Sequence, residues 1–117
     1  MLAKIRSIAD TLAPRLIEIR RHLHAHPELS GQEHQTAAYI AGVLSAAGLR
    51  TQEAVGKTGV VGELGGAGTD PRLLAIRTDM DALPIVERTG LAFSSRNEGI
   101  MHACGHDTHV AMLLGTA

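Results

Sequence analysis

The chain has 117 residues, a formal net charge of −1 and one cysteine. That length allows one small domain, the near-zero charge removes any electrostatic case for nucleic acid or a membrane surface, and a lone cysteine excludes an internal disulfide and suits a reducing compartment. No apolar run approaches membrane-spanning length, and Lys4, Arg6 and Asp10 interrupt any signal-peptide core, so a soluble cytoplasmic protein is the expectation.

Residues 2 to 25 carry an apolar stripe at Ile5, Ile8, Leu12, Leu16, Ile19 and Leu23. Spacings of three and four predict an amphipathic helix, with a break or restart at Pro14. Arg15, Arg20 and Arg21 read as its solvated face. His22, His24 and His26 alternate like a metal box, yet on a helix His22 and His24 diverge around the axis, and Pro27 disfavours helix at His26. A helix-ending signal is the better reading. Ser30-Gly31-Gln32-Glu33 has the form of a capping box with Ser30 as N-cap. The helix it opens runs to Ala47, with Gly48 as its stop.

Strands are predicted at 49–55 and 59–64. Gly56-Lys57-Thr58 resembles the end of a phosphate-binding loop, but the glycine required five residues earlier is Thr51, so the match fails. Gly65 to Pro71 is turn chemistry. Arg72-Leu73-Leu74-Ala75-Ile76-Arg77 reads as a buried strand. Asp79 and Asp81 follow it, where ligands gather beyond the carboxyl ends of strands in α/β sheets. Two neighbouring carboxylates call for a nearby cation, or else form a turn closed by Pro84. Residues 85 to 100 are irregular. The apolar run Val110 to Leu114 predicts a helix buried under a sheet, starting near 107. The chain stops inside that run, so a portion of a longer protein is expected.

Just before this helix, His102, Cys104, His106 and His109 stand within eight positions. Thiolate and neutral imidazole suit borderline-soft divalent metals, and an extended backbone would point His102, Cys104 and His106 to one side. The other reading is a buried structural cysteine beside surface histidines. The run alone supplies at most three ligands and does not decide between the two.

Four motifs occur in order: His24-Ala25-His26-Pro27-Glu28-Leu29-Ser30, Thr58-Gly59-Val60-Val61-Gly62, Asp79-Met80-Asp81-Ala82-Leu83-Pro84 and Met101-His102-Ala103-Cys104-Gly105-His106-Asp107. Together they resemble the N-terminal part of a di-metal amidohydrolase of the aminoacylase/carboxypeptidase family. The branch resembled is that of hippurate hydrolases and indole-acetyl-amino-acid hydrolases. The resemblance implies an α/β fold, the N-terminal portion of a mixed sheet flanked by helices, with residues 1–117 forming part of a metal-binding catalytic domain. It implies Cys104 and His106 as metal ligands and Asp81 as the aspartate that steadies the metal centre. Other branches place a ligand histidine at the position of Asp79. His102 is not a ligand in the family pattern, and His109 is left as structural.

The implied activity is hydrolysis of the amide of N-acyl amino acids or small peptides, using two divalent ions per complete site, whether zinc, manganese, nickel or cobalt. In the family, a metal-held water attacks the carbonyl carbon, and the general-base glutamate and the remaining ligands lie beyond residue 117. The chain alone is therefore expected to be inactive. An unpaired sheet edge would favour homo-oligomers. The competing readings are a truncated, non-catalytic association module that keeps half a metal site, and a cysteine hydrolase in which His102 or His106 activates Cys104.

Overall fold

The structure is a computed structural model and describes residues 1–65 and 72–117. Three helices and one hairpin follow in the order α1 (Leu2–Ala25), α2 (His34–Ala46), β1 (Arg50–Val55), β2 (Gly59–Glu63) and α3 (His106–Thr116). The α/β class and both predicted hairpin strands are present.

The apolar stripe of α1 becomes a core only in its second half. Ile19 and Leu23 join Ile40 and Leu44 of α2 and Val110, Ala111 and Leu114 of α3 in one buried cluster. α1 does not break at Pro14. Proline removes one N–H, and at this exposed position the remaining helical hydrogen bonds carry the chain through. α3 packs chiefly on α1 rather than under a sheet, and its Met112 stays exposed.

α2 starts at His34, not after Ser30. Ser30 and Gly31 lie in a turn in which Gly31 takes a φ of +78°. The free N–H groups of the first turn go instead to Glu28, whose Oε1 accepts from Gln35 N (3.1 Å) and Oε2 from Thr36 N (2.8 Å). Carboxylates suit helix N-termini because they accept those N–H groups and meet the positive end of the dipole. Glu33 turns its buried carboxylate to the Thr58 hydroxyl, 2.8 Å away, and so ties the helix start to the hairpin.

β1 and β2 pair antiparallel, with Thr51 opposite Gly62. A Cβ on Gly59 would meet the Val55 carbonyl oxygen at 2.5 Å, and one on Gly62 would meet Leu44 Cδ1 at 3.0 Å. Glycine at both positions lets the hairpin close and lie flat on α2.

The strand predicted over 72–77 is absent. Leu73 and Leu74 are 94% and 85% exposed. A strand exists only with a ladder partner, and the one sheet among the described residues is the β1–β2 hairpin. The turn predicted at Gly65–Pro71 lies almost wholly outside the described residues. No helix among those described is long and apolar enough to cross a membrane.

Candidate functional site

Two isolated bridges bring three separate segments together. Leu29 pairs parallel with Ala82, and Leu83 pairs antiparallel with Met101. Ala82 N donates to the Glu28 carbonyl (2.8 Å), while Leu83 and Met101 exchange both backbone bonds at 3.0 Å. The segment carrying Asp81 is thus held between the end of the first histidine motif and the start of the histidine–cysteine run.

This placement sets Asp81 against His106. His106 Nδ1 lies 3.0 Å from Asp81 Oδ1 and 2.9 Å from the Asp81 carbonyl oxygen. Two acceptors at Nδ1 put the proton there and leave Nε2 with its lone pair. This is how ligand imidazoles are held in metalloproteins. Gly105, the N-cap of α3, has a φ of +87°, and this left-handed turn starts the helix at His106. Gly105→Ala meets no atom within 4 Å but is strained at that φ. It should cost about 1–2 kcal/mol in urea denaturation, from the clash of a Cβ with its own backbone.

The run 102–106 is not extended, so its three side chains do not share one side. His102 is buried, Cys104 is exposed and His106 is half-buried. The bends of 104–105 turn the chain over between His102 and the helix. Asp79 and Asp81 do not act as a pair either. Asp79 meets Arg77 on the surface, and Asp81 meets His106. His109 is exposed, with its ring centroid 6.1 Å from that of His106. A groove of about 360 Å³ runs from Thr78, Asp79 and His109 to Met112 and Leu113.

A thiol open to solvent and an imidazole with a free Nε2, two positions apart, have the donor chemistry of a divalent metal site. They fit such an ion as a partial set. Among the described residues, no group of three or more His, Cys, Asp or Glu is gathered around one point.

Behind His106 lies a buried ionic cluster with no local signature in the sequence. Asp107 is 1% exposed. Its Oδ2 accepts from Arg20 Nε (2.9 Å) and faces His24 Nδ1 (2.7 Å). The opposite nitrogen of that ring, Nε2, faces Glu87 Oε1 at 3.2 Å. The His24 ring thus lies between two carboxylates, with Arg20 on the Asp107 side. The arginine and histidine stand four apart on α1, beside the buried stripe of Ile19 and Leu23. His22 and His26 belong elsewhere: the His22 ring stacks on Tyr39 at 4.2 Å, and His26 Nδ1 donates to the His22 carbonyl at 2.8 Å. Burial lowers the proton affinity of His22, and the adjacent His26 and Arg96 add to that.

The Glu87 side chain is 4% exposed. Burial pushes its carboxyl up, but Ser95 N–H at 2.6 Å, the Thr89 hydroxyl and His24 outweigh that and hold it at about 2. A depressed carboxyl contributes stability above its unfolded value, and that stability is lost as the pH falls from about 4.5 towards 2. Glu87→Gln should flatten acid unfolding across that window by roughly 1–2 kcal/mol, the smaller end applying if solvent reaches the pair. Circular dichroism against pH measures it. Burial lowers the proton affinity of His102, against the pull of Asp107, and both its ring nitrogens and Asp107 Oδ1 lack a hydrogen-bond partner among the described residues.

Residues 75–117 match Peptidase family M20/M25/M40. Over that stretch the chain is similar to this family. It is 70% identical over 97% of its length to "Probable hydrolase sll0100" of Synechocystis sp., covering 29% of that protein. It is 50% identical over 92% of its length to the N-acetyl-L-cysteine deacetylase of Bacillus subtilis, covering 26% of it. It is also 50% identical over 97% of its length to the N-acyl-L-amino acid amidohydrolase of Geobacillus stearothermophilus, covering 30% of it. Among solved structures, the Bacillus subtilis YXEP protein, a dinuclear metal binding peptidase from the M20 family, superposes with a TM-score of 0.85 at 46% identity, over 92% of this chain and 30% of that one. The chain therefore spans about 30% of the length of these relatives. The hippurate hydrolase branch is not singled out by these relatives.

Proposed function

We propose that this chain is the N-terminal metal-site portion of an M20 amidohydrolase that cleaves the amide of N-acyl amino acids or short peptides. The observation that carries the reading is His106, fixed at Nδ1 by Asp81 with Nε2 free, two positions from the exposed Cys104. The names of its M20 relatives support the substrate class. In this reading Cys104 and His106 are two of the metal ligands, and Asp81 orients the imidazole and raises its basicity. A bound divalent ion would supply Lewis-acid polarisation of the amide carbonyl and an acidified water. Identity of the metal and of the acyl group is left to experiment, since a thiolate favours soft ions while availability decides among them.

Cobalt(II) titration of the chain tests this reading. A thiolate-to-cobalt absorption that competes with zinc supports it, and its absence overturns it. Amide hydrolysis by this chain alone is expected to be undetectable, because two protein ligands leave the ion weakly held. The thiol-nucleophile reading would instead show hydrolysis that survives chelation and dies on alkylation of Cys104.

A further inference from the structure

We propose that His24 is a positioning residue for the metal pair, acting through Asp107 and resting on the metal-site reading above. The first histidine motif found no role in the ligand set, yet His24 is among the most deeply buried residues of α1. Its side chain touches both Asp107 and Glu87, at 2.7 and 3.2 Å. Asp107 is the residue after His106 in the first turn of α3. Its side chain is pinned to α1 from two directions, by Arg20 Nε and by His24 Nδ1. The rotation of that turn about the α3 axis decides where the neighbouring imidazole points, because successive helical residues differ by a fixed angle.

The far side of His24 is anchored as firmly. Glu87 takes Ser95 N–H, and beside it Arg96 N donates to the Ala25 carbonyl (2.9 Å) and Asn97 Nδ2 to the Pro27 carbonyl (2.7 Å). Phe93 lies edge-on to the His24 ring at 5.6 Å, with the guanidinium groups of Arg20 and Arg21 over its own face at 5.1 and 5.0 Å. The segment 87–97 and α1 therefore form a rigid frame, and the imidazole carries that rigidity to Asp107. The same His24-to-Ser30 motif fixes Asp81 from the other side through the Glu28–Ala82 backbone bond. One motif thereby sets both the aspartate that holds His106 and the helix turn that presents it.

Asparagine and glutamine separate the two halves of this link. An asparagine amide can stand where Nδ1 stands and keep the bond to Asp107. A glutamine amide reaches Glu87 and leaves Asp107 without its second donor. His24→Asn should retain cobalt(II) affinity within about threefold, while His24→Gln should weaken it about tenfold or more and alter the cobalt d–d spectrum, the range seen for groups that support metal ligands. Equal affinity and equal spectra in the folded glutamine variant would overturn the proposal. So would equal losses in both variants, since that is the mark of mere packing. If either variant fails to fold, the unmodified chain still decides. Zinc binding should shift the 15N resonances of the His24 ring, because coupling between two sites is reciprocal. An unshifted ring with zinc bound overturns the positioning role alone, whereas a chain that binds neither zinc nor cobalt overturns the metal reading and this one with it.

Discussion

Cys104→Ser and His106→Ala should each abolish measurable cobalt(II) or zinc binding by the chain. A structural zinc site of four ligands is worth about 10–16 kcal/mol, so one ligand contributes roughly 3 kcal/mol, or about a hundredfold in affinity. Two ligands alone then give a dissociation constant on the order of 10–100 µM, and losing either moves binding into the millimolar range. The variants should keep the fold. Cys104 is exposed, and the half-buried His106 ring bonds through Nδ1 to Asp81 alone among the described residues. Asp81→Asn should weaken binding less, since the Asp81 carbonyl also accepts from His106 Nδ1. Binding should tighten as the pH rises, because both donors must be unprotonated to coordinate. Isothermal titration at two pH values, with far-UV circular dichroism as the folding control, measures all of this. Full-strength binding in either ligand variant would remove Cys104 and His106 from the site.

Asp107→Ala should be the most destabilising single change in the chain. The substitution strips the partner from Arg20 and from one side of His24 and leaves the guanidinium charge facing a hole. Removing one partner of a buried ion pair costs about 3–5 kcal/mol. Arg20 is one-third exposed and regains some hydration, which places the expectation near the lower end, about 3 kcal/mol. A small domain has roughly 5–15 kcal/mol in total. The urea midpoint should therefore fall by a large fraction with an unchanged slope, and a loss under about 1 kcal/mol would contradict the cluster described here. Asp107→Asn keeps the shape and one acceptor and should lose less.

The helices and the hairpin could be read from local pattern, because amphipathic spacing and Gly48 as a stop are properties of adjacent residues. Cys104, His106 and Asp81 were reached through resemblance to a family, and the structure places Asp81 against His106 Nδ1. Two expectations failed, and one cluster was missed, for one reason. The strand at 72–77 needs a neighbour that periodicity does not supply. The cap of α2 is Glu28, six residues before the helix, where the local rule looked only to Ser30. The Arg20–Asp107–His24–Glu87 cluster joins positions 83 and 63 apart in the chain, and no window of sequence contains both ends. A hint was available in the two polar residues, Arg20 and His24, flanking the buried stripe of α1, since polar groups at such a boundary need a partner.

α1 is a single helix of 24 residues, yet only its second half is part of the core. Leu2, Ile5 and Ile8 are exposed, and Pro14 leaves the Asp10 carbonyl without its helical donor. Deuterium is expected to enter the amides before Pro14 on the timescale of fraying, while those of Ile19 to Ala25 open only with the whole domain. His24 thus lies on the slow-exchanging side of Pro14, in the half of the helix that the core holds.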